Sequence, residues 1–131
     1  MKRFSAIVLI LILGVGLTGC NTARRKVVPP CDQVLVYKLA FDLTYLRALE
    51  ALGSQGSWQY EETDKEKGLI SVRDMNYSSL DDSDVRVISF VVKRVDRETT
   101  SVALTPKSRQ VYGGAGLMKA VDEALRREIK R

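Results

Sequence analysis

Val85-Arg86-Val87-Ile88-Ser89-Phe90-Val91-Val92-Lys93-Arg94-Val95 is the longest β-prone run in the chain, apolar on both faces at its centre. β-Branched and aromatic side chains suit a pleated surface, so this run predicts the central strand of a sheet. On its C-terminal side, Asp96-Arg97-Glu98-Thr99 turns the chain into Thr100-Ser101-Val102-Ala103-Leu104-Thr105, which Pro106 ends. On its N-terminal side lies a polar loop, Asn76 to Asp84. Before that loop, Trp58-Gln59-Tyr60-Glu61-Glu62-Thr63 and Leu69-Ile70-Ser71-Val72-Arg73 flank the turn Asp64-Lys65-Glu66-Lys67-Gly68. Strands joined by a short glycine-ended turn make a β-hairpin.

Two helical patterns bracket these strands. Asp42 is expected as an N-cap, with Phe41 before it and Leu46 after it as a hydrophobic staple. Leu43, Leu46, Leu49 and Leu52 recur at helical spacing beside Ala48 and Ala51, and Gly53 is expected as the C′ stop. At the C-terminus, Leu117, Val121, Leu125 and Ile129 stand four apart, with Met118 and Ala124 widening the stripe. Lys130 and Arg131 suit the negative end of that helix's dipole. Val34-Leu35-Val36-Tyr37 is short and β-prone, either an edge strand or a lead-in. The order helix, four strands, helix predicts the α+β class. Its form is a two-layer sandwich, a four-stranded antiparallel meander with an N-terminal and a C-terminal helix packed on one face.

The whole chain has 131 residues, a formal charge of +5, two cysteines and no histidine. That length allows one domain. Without histidine, Ser-His-Asp and Cys-His catalysis and His-ligated zinc are excluded. The charge is concentrated near the start. Met1-Lys2-Arg3 precedes the apolar run Ala6 to Leu17, whose twelve residues fall short of the about twenty that span a bilayer. A basic start, a short apolar run and small residues after it predict a secretory signal over residues 1–19. A spanning helix and a buried core helix are the alternatives; length disfavours the first, and the following cysteine disfavours both.

That cysteine closes Leu17-Thr18-Gly19-Cys20, which resembles the lipobox of bacterial lipoproteins. The resemblance implies a diacylglyceryl thioether on Cys20 and cleavage between Gly19 and Cys20. The exposed amine would then be acylated as well, with fatty acids such as palmitate. Two or three acyl chains hold a protein firmly to a membrane, where one holds it only marginally. Asn21 stands where the enteric inner-membrane retention signal has Asp, which implies an outer-membrane location with the domain facing the periplasm.

Residues 20–33 are expected to be the lipidated cysteine and a tether, with Arg24-Arg25-Lys26 and Pro29-Pro30 and no periodic apolar pattern. Thirteen tether residues reach roughly 40 Å extended, or about 20 Å as a coil. The three cations suit anionic headgroups, or simply solvate the linker. Residues 34–131 are expected to form the single folded domain. A nucleic-acid partner is not expected, because no aromatics are interleaved with the charges. Removal of Lys2 and Arg3 with the signal lowers the charge from +5 to +3, which the tether triplet accounts for, so the domain is close to neutral. Cys31 has no intramolecular partner once Cys20 is lipidated; it is a tolerated thiol, a disulfide dimer contact or, least of all, a chemical group.

A looser resemblance joins residues 35–129 to the small helix-grip domains of Gram-negative envelope lipoproteins, such as those of component C of the β-barrel assembly machine. Its marks are Phe41-Asp42-Leu43 opening the helix, the turn with Asp64 and Gly68, and Val111-Tyr112-Gly113-Gly114. It implies scaffold and binding roles and carries over no catalytic residues.

Candidate chemistry is sparse. Asp81, Asp82 and Asp84 could offer carboxylates to Ca²⁺ but lack EF-hand spacing, which favours a solvated acidic loop. Glu61, Glu62, Asp64 and Glu66 are interleaved with Lys65 and Lys67, the pattern of a solvated charged turn. Gly113-Gly114-Ala115-Gly116 lacks the Gly-Lys-Ser/Thr of a phosphate loop and suggests a flexible helix entry. Tyr112, Gly113 and Gly114 are the candidate partner contacts. Core packing, or a lid over the helix edge, is the alternative for Tyr112 and outweighs exposure on sequence alone. Trp58, Tyr60 and Tyr77 are core anchors or line a groove between helix and sheet.

No catalytic residue, cofactor or metal is assigned. The expected role is a non-enzymatic, lipid-anchored module for protein–protein contact in envelope assembly or maintenance. The other readings are a binder of a small ligand, lipid or glycan in a helix–sheet groove, and a hydrolase using carboxylates alone.

Overall fold

The computed structural model describes residues 31–76 and 86–131. Its elements are β1 (Val34–Tyr37), α1 (Phe41–Gly53), β2 (Trp58–Asp64), β3 (Leu69–Asp74), β4 (Val87–Arg94), β5 (Thr100–Leu104), a 3₁₀ turn (Pro106–Ser108) and α2 (Gly114–Ile129). The class is α+β, with a single antiparallel sheet in the order β1-β5-β4-β3-β2. The expected four-stranded meander is therefore one strand short. β2 to β5 do follow one another across the sheet, but Val34–Tyr37 pairs with β5 as a fifth strand, Val34 opposite Ala103 and Tyr37 opposite Thr100. β1 and β2 occupy opposite edges, so α1 must carry the chain across a face of the sheet to reach β2.

β4 sits in the middle of the sheet. Its Ile88, Phe90 and Val92 are buried, as are Ile70 and Val72 of β3, Val102 and Leu104 of β5, and Leu35 and Tyr37 of β1. The period-two alternation puts all of these on one face, where Ala48 and Leu52 of α1 and Leu117, Met118, Val121 and Leu125 of α2 close the core. Ile129, the last residue of the expected stripe, is half exposed at the end of α2.

The hairpin between β2 and β3 turns at Gly68, with φ +66°. A β-carbon there would also run into the Val92 carbonyl oxygen, and the Gly68 carbonyl accepts the Val92 N–H at 2.8 Å. Positive φ and close backbone approach both require glycine at this position.

α1 departs from the sequence expectation in three ways. Its N-cap is Ala40 with extended backbone, and Asp42 lies in the first turn, where Lys65 reaches it at 2.7 Å. That ammonium holds the Asp42 carboxyl below its ordinary value. The staple does not form; Leu46 is 47% exposed, and Phe41 instead stacks on Tyr45, ring centroids 6.1 Å apart. Gly53 is the last helical residue rather than the C′ stop, and Ser54 caps the end by donating its N–H to the Glu50 carbonyl at 3.0 Å. The buried face is Thr44, Tyr45, Ala48, Ala51 and Leu52; of the expected stripe Leu52 is buried and Leu49 packs against the core, while Leu46 turns outward. Small side chains let the helix approach closely, and the Thr44 hydroxyl is satisfied by the Ala40 carbonyl at 3.0 Å.

α2 is fastened to the β1 edge. The Tyr37 hydroxyl donates to Asp122 Oδ1, and Arg126 Nε lies 2.9 Å from both oxygens of the same carboxylate. Burial works against the Asp122 charge, but the Tyr37 hydroxyl and the Arg126 guanidinium prevail and hold its carboxyl below the usual range. Burial, with the neighbouring carboxylate, pushes the Tyr37 hydroxyl well above its ordinary value. Between the helices, Arg47 Nε lies 2.9 Å from Glu128 without hydrogen-bond alignment, while Arg47 Nη1 donates to Glu50 at 2.7 Å.

Candidate functional site

Tyr112, Gly113 and Gly114 lie where the chain passes from the 3₁₀ turn into α2. Tyr112 is 63% exposed, and the Arg86 guanidinium stands 5.3 Å from its ring centroid. A cation over a ring at that distance gains about 0.5–1 kcal/mol at an exposed site and holds the ring in place. Gly113 is the N-cap of α2, with φ +98°, and a β-carbon there would meet the Trp58 ring at 2.8 Å. Gly114 is buried against Leu104 and the Ser108 carbonyl. The two glycines are thus packing residues under Trp58 and above β5, which replaces the expected flexible helix entry. Tyr112 does not pack into the core; its ring is left on the surface.

Trp58 is half-buried and packs on the core as an anchor. Tyr60 is more exposed, and its hydroxyl donates to the Leu49 carbonyl, with its ring over Gly53. Tyr77, Asp81, Asp82 and Asp84 lie outside the described residues, as do Gly19 and Cys20.

The hairpin carboxylates are dispersed. Glu61 pairs with Arg73 at 2.9 Å and Asp64 with Lys67 at 2.9 Å, while Glu62 and Glu66 are exposed. The Lys67 ammonium and backbone N–H lower the Asp64 carboxyl. Exposed carboxylates, two of them on neighbouring cations, make the arrangement of a solvated charged turn. Among the described residues no group of three His, Cys, Asp or Glu side chains is placed to hold a metal ion.

Cys31 is half-buried against the core cluster, and its N–H donates to the Arg109 carbonyl at 2.8 Å. Asp32 lies 3.4 Å from Arg109. The segment leading to β1 is therefore held beside the same loop that carries Tyr112. Among the described residues no helix is long and apolar enough to cross a membrane.

One polar cluster was not singled out from the sequence. On the sheet face away from the helices, the Ser71 and Ser89 hydroxyls meet at 2.7 Å. The Ser108 hydroxyl accepts the Ser89 N–H at 2.8 Å and the Thr105 hydroxyl at 3.0 Å. Thr105 donates its N–H to the Ser89 carbonyl at 2.9 Å, but Pro106 turns the chain away before the ladder can return that bond. The Ser108 side chain completes it. These hydroxyls floor a cleft of about 540 Å³ with Leu69, Val87 and Pro106 on its walls and Glu62 and Lys107 at its margin. The available signal was a serine at the centre of each of two apolar strands, Ser71 and Ser89, in register with each other.

No protein-family model matches this sequence, and no curated protein matches it.

Proposed function

We propose that this chain is a lipid-anchored envelope lipoprotein whose α+β domain makes protein–protein contacts near the outer membrane, on the periplasmic side. The single observation that carries the reading is Leu17-Thr18-Gly19-Cys20 placed directly after a basic start and a twelve-residue apolar run. A thiol forms the thioether, and the small residues before it let a peptidase reach the bond. The absence of histidine from the whole sequence favours contact over chemistry. Exposed Tyr112, braced by Arg86, supports a contact surface at the end of the domain where Cys31 enters. Aromatic anchors of this kind contribute strongly to interfaces.

Metabolic labelling with a radioactive fatty acid tests the anchor. The native chain is expected to take up label and lose its first nineteen residues, and Cys20→Ala to do neither; a fully processed Cys20→Ala chain overturns the lipobox reading. Crosslinking in native membranes tests the contact role. Reproducible envelope proteins should be recovered with the native chain and reduced with Tyr112→Ser, and equal recovery with both variants removes Tyr112 from the contact.

A second reading is favoured by the cleft above Ser71, Ser89, Thr105 and Ser108, whose hydroxyl floor and apolar walls suit a polyhydroxylated ligand such as a glycan. It places a ligand on the outer sheet face rather than between helix and sheet.

A further inference from the structure

The two edges of the sheet are treated very differently by the sequence. β2 carries a register break between Tyr60 and Glu62 and charged side chains at Glu61, Glu62 and Asp64. A bulge and a row of charges are the usual devices that stop a second chain from pairing with an edge. β1 has neither. Val34-Leu35-Val36-Tyr37 holds no charge, proline or glycine, and pairs with β5 in unbroken register. Val34 and Val36 are 55% and 58% exposed, on the face away from the helices.

The backbone of that edge can be assigned. In an antiparallel pair, hydrogen-bonded and non-bonded residue pairs alternate. Thr105 N–H bonds the Ser89 carbonyl and Val95 N–H the Thr99 carbonyl, so the odd-numbered residues of β5 face β4. The even-numbered ones, Thr100 and Val102, face β1, opposite Tyr37 and Leu35. The N–H and C=O groups of Val34 and Val36 therefore point out of the sheet, at an edge where no other described strand pairs.

We propose that β1 is a dimerisation edge, and that its occupant is β1 of a second copy of this chain, antiparallel, with Leu35 at the two-fold axis. This register places Val34 opposite the partner's Val36 as a hydrogen-bonded pair. It also brings Asp32, two residues before β1 and 3.4 Å from Arg109, toward the partner's Lys38 at the bend just after β1, both exposed. Shifting the axis by one residue either way loses the match: Val34 then faces Lys38, or Asp32 faces Val36. Only the Leu35-centred register gives apolar pairs at the centre and opposite charges on both sides, repeated by symmetry. In the same arrangement the two Cys31 residues stand roughly 25 Å apart at about 3.3 Å per residue. A disulfide needs Cα atoms within about 7 Å. The β1 dimer is thus not a Cys31 disulfide dimer, and it stands independently of lipidation at Cys20.

The test uses the full chain in membranes, with Cys31→Ser in every copy. One tagged copy carries Val34→Cys and a differently tagged copy carries Val36→Cys. Directly opposite Cα atoms in a hydrogen-bonded pair are about 5.5 Å apart, within disulfide reach. Oxidation should give the mixed dimer at least fivefold in excess over Val36→Cys joined to itself. Absence of the mixed dimer overturns the proposal, and preferential Val36→Cys self-crosslinking overturns the register. Independently, the detergent-solubilised native chain should sediment as a dimer. Asp32→Lys and Lys38→Asp should each weaken that dimer by about fivefold, since two exposed pairs turn repulsive. Mixing the two variants should restore it. A monomeric native chain, or single reversals without effect on its mass, refutes the pairing. Val36→Pro removes only the outward N–H, so it should yield a folded monomer with native circular dichroism; a folded Val36→Pro dimer refutes backbone pairing.

Discussion

Replacing Gly68 with alanine should destabilise the domain by about 2 kcal/mol, and the contributions can be taken from the geometry. At φ +66° an L-residue is in the left-handed region, which costs roughly 1–2 kcal/mol. Loss of freedom in the unfolded chain returns about 0.4–1 kcal/mol of that. The new β-carbon also collides with the Val92 carbonyl, so β4 must draw away from the turn and weaken the Val92–Gly68 hydrogen bond, a further 0.5–1.5 kcal/mol or so. For a domain near 100 residues this lowers the melting temperature by roughly 8–16 °C. Urea and thermal unfolding followed by circular dichroism would measure it. Two companions separate the causes. Gly68→Asn relieves the backbone conformation, which Asn tolerates, but keeps the collision, so it should remain at least about 1 kcal/mol below the native protein. At Gly56 a β-carbon would meet nothing within 4 Å and φ is not positive, so Gly56→Ala should be neutral or stabilise by up to about 1 kcal/mol. A native urea midpoint for Gly68→Ala, or full recovery with Gly68→Asn, would refute the close approach of β4 to the turn.

Ser108→Ala strands the Ser89 N–H and should cost about 1–3 kcal/mol, with faster hydrogen exchange at the Ser89 amide than in the native protein. Gly113→Ala should displace the Trp58 ring, and because this is the chain's one tryptophan, its fluorescence should shift to the red; an unchanged spectrum counts against the contact. Tyr37→Phe removes a hydrogen bond to a carboxylate and should lose about 1–2 kcal/mol at neutral pH. The Asp122 carboxyl is lowered in the folded state, so its contribution is present above the unfolded carboxylate value and lost as pH falls through the folded one. The native and Tyr37→Phe urea midpoints should therefore begin to converge only as pH falls below about 4, toward the lowered Asp122 value.

The strands were legible because alternation is a local property. Leu69 to Arg73 and Thr100 to Thr105 differ from the observed strands by one residue at one end. The central run was expected to span Val85 to Val95 and is observed as Val87–Arg94, with Val85 outside the described residues. The turn ending at Gly68 and the stripe through Leu117, Val121 and Leu125 were equally plain, since each requires only neighbours within a few positions. The face of α1 was only partly so. Leu52, Ala48 and Ala51 of the expected stripe are buried, but Leu46 is left exposed and Thr44 and Tyr45 take the core face, because the helix closes on the sheet where small volume permits close approach. The cap moved for a similar reason: Asp42 can accept a local N–H, but it finds the Lys65 ammonium from the hairpin instead.

At the candidate site the sequence supplied the residues and not their roles. Gly113 and Gly114 suggest freedom when taken with their neighbours alone. Their fixed role comes from Trp58, some fifty positions away, and from Leu104. Ser108 completes a strand ladder only because Pro106 diverts the chain beside Ser89, a relation that spans nineteen positions.

The sequence by itself determined the α+β class, the hairpin and the helical periods, all of which depend on spacing along the chain. Tertiary structure alone decided that Val34–Tyr37 joins the sheet beside β5, that Tyr37 meets Asp122, and that β1 and β2 stand at opposite edges. Strand order is set by which apolar faces are buried together once α1 crosses the sheet, and that choice is made by packing between residues far apart in the chain.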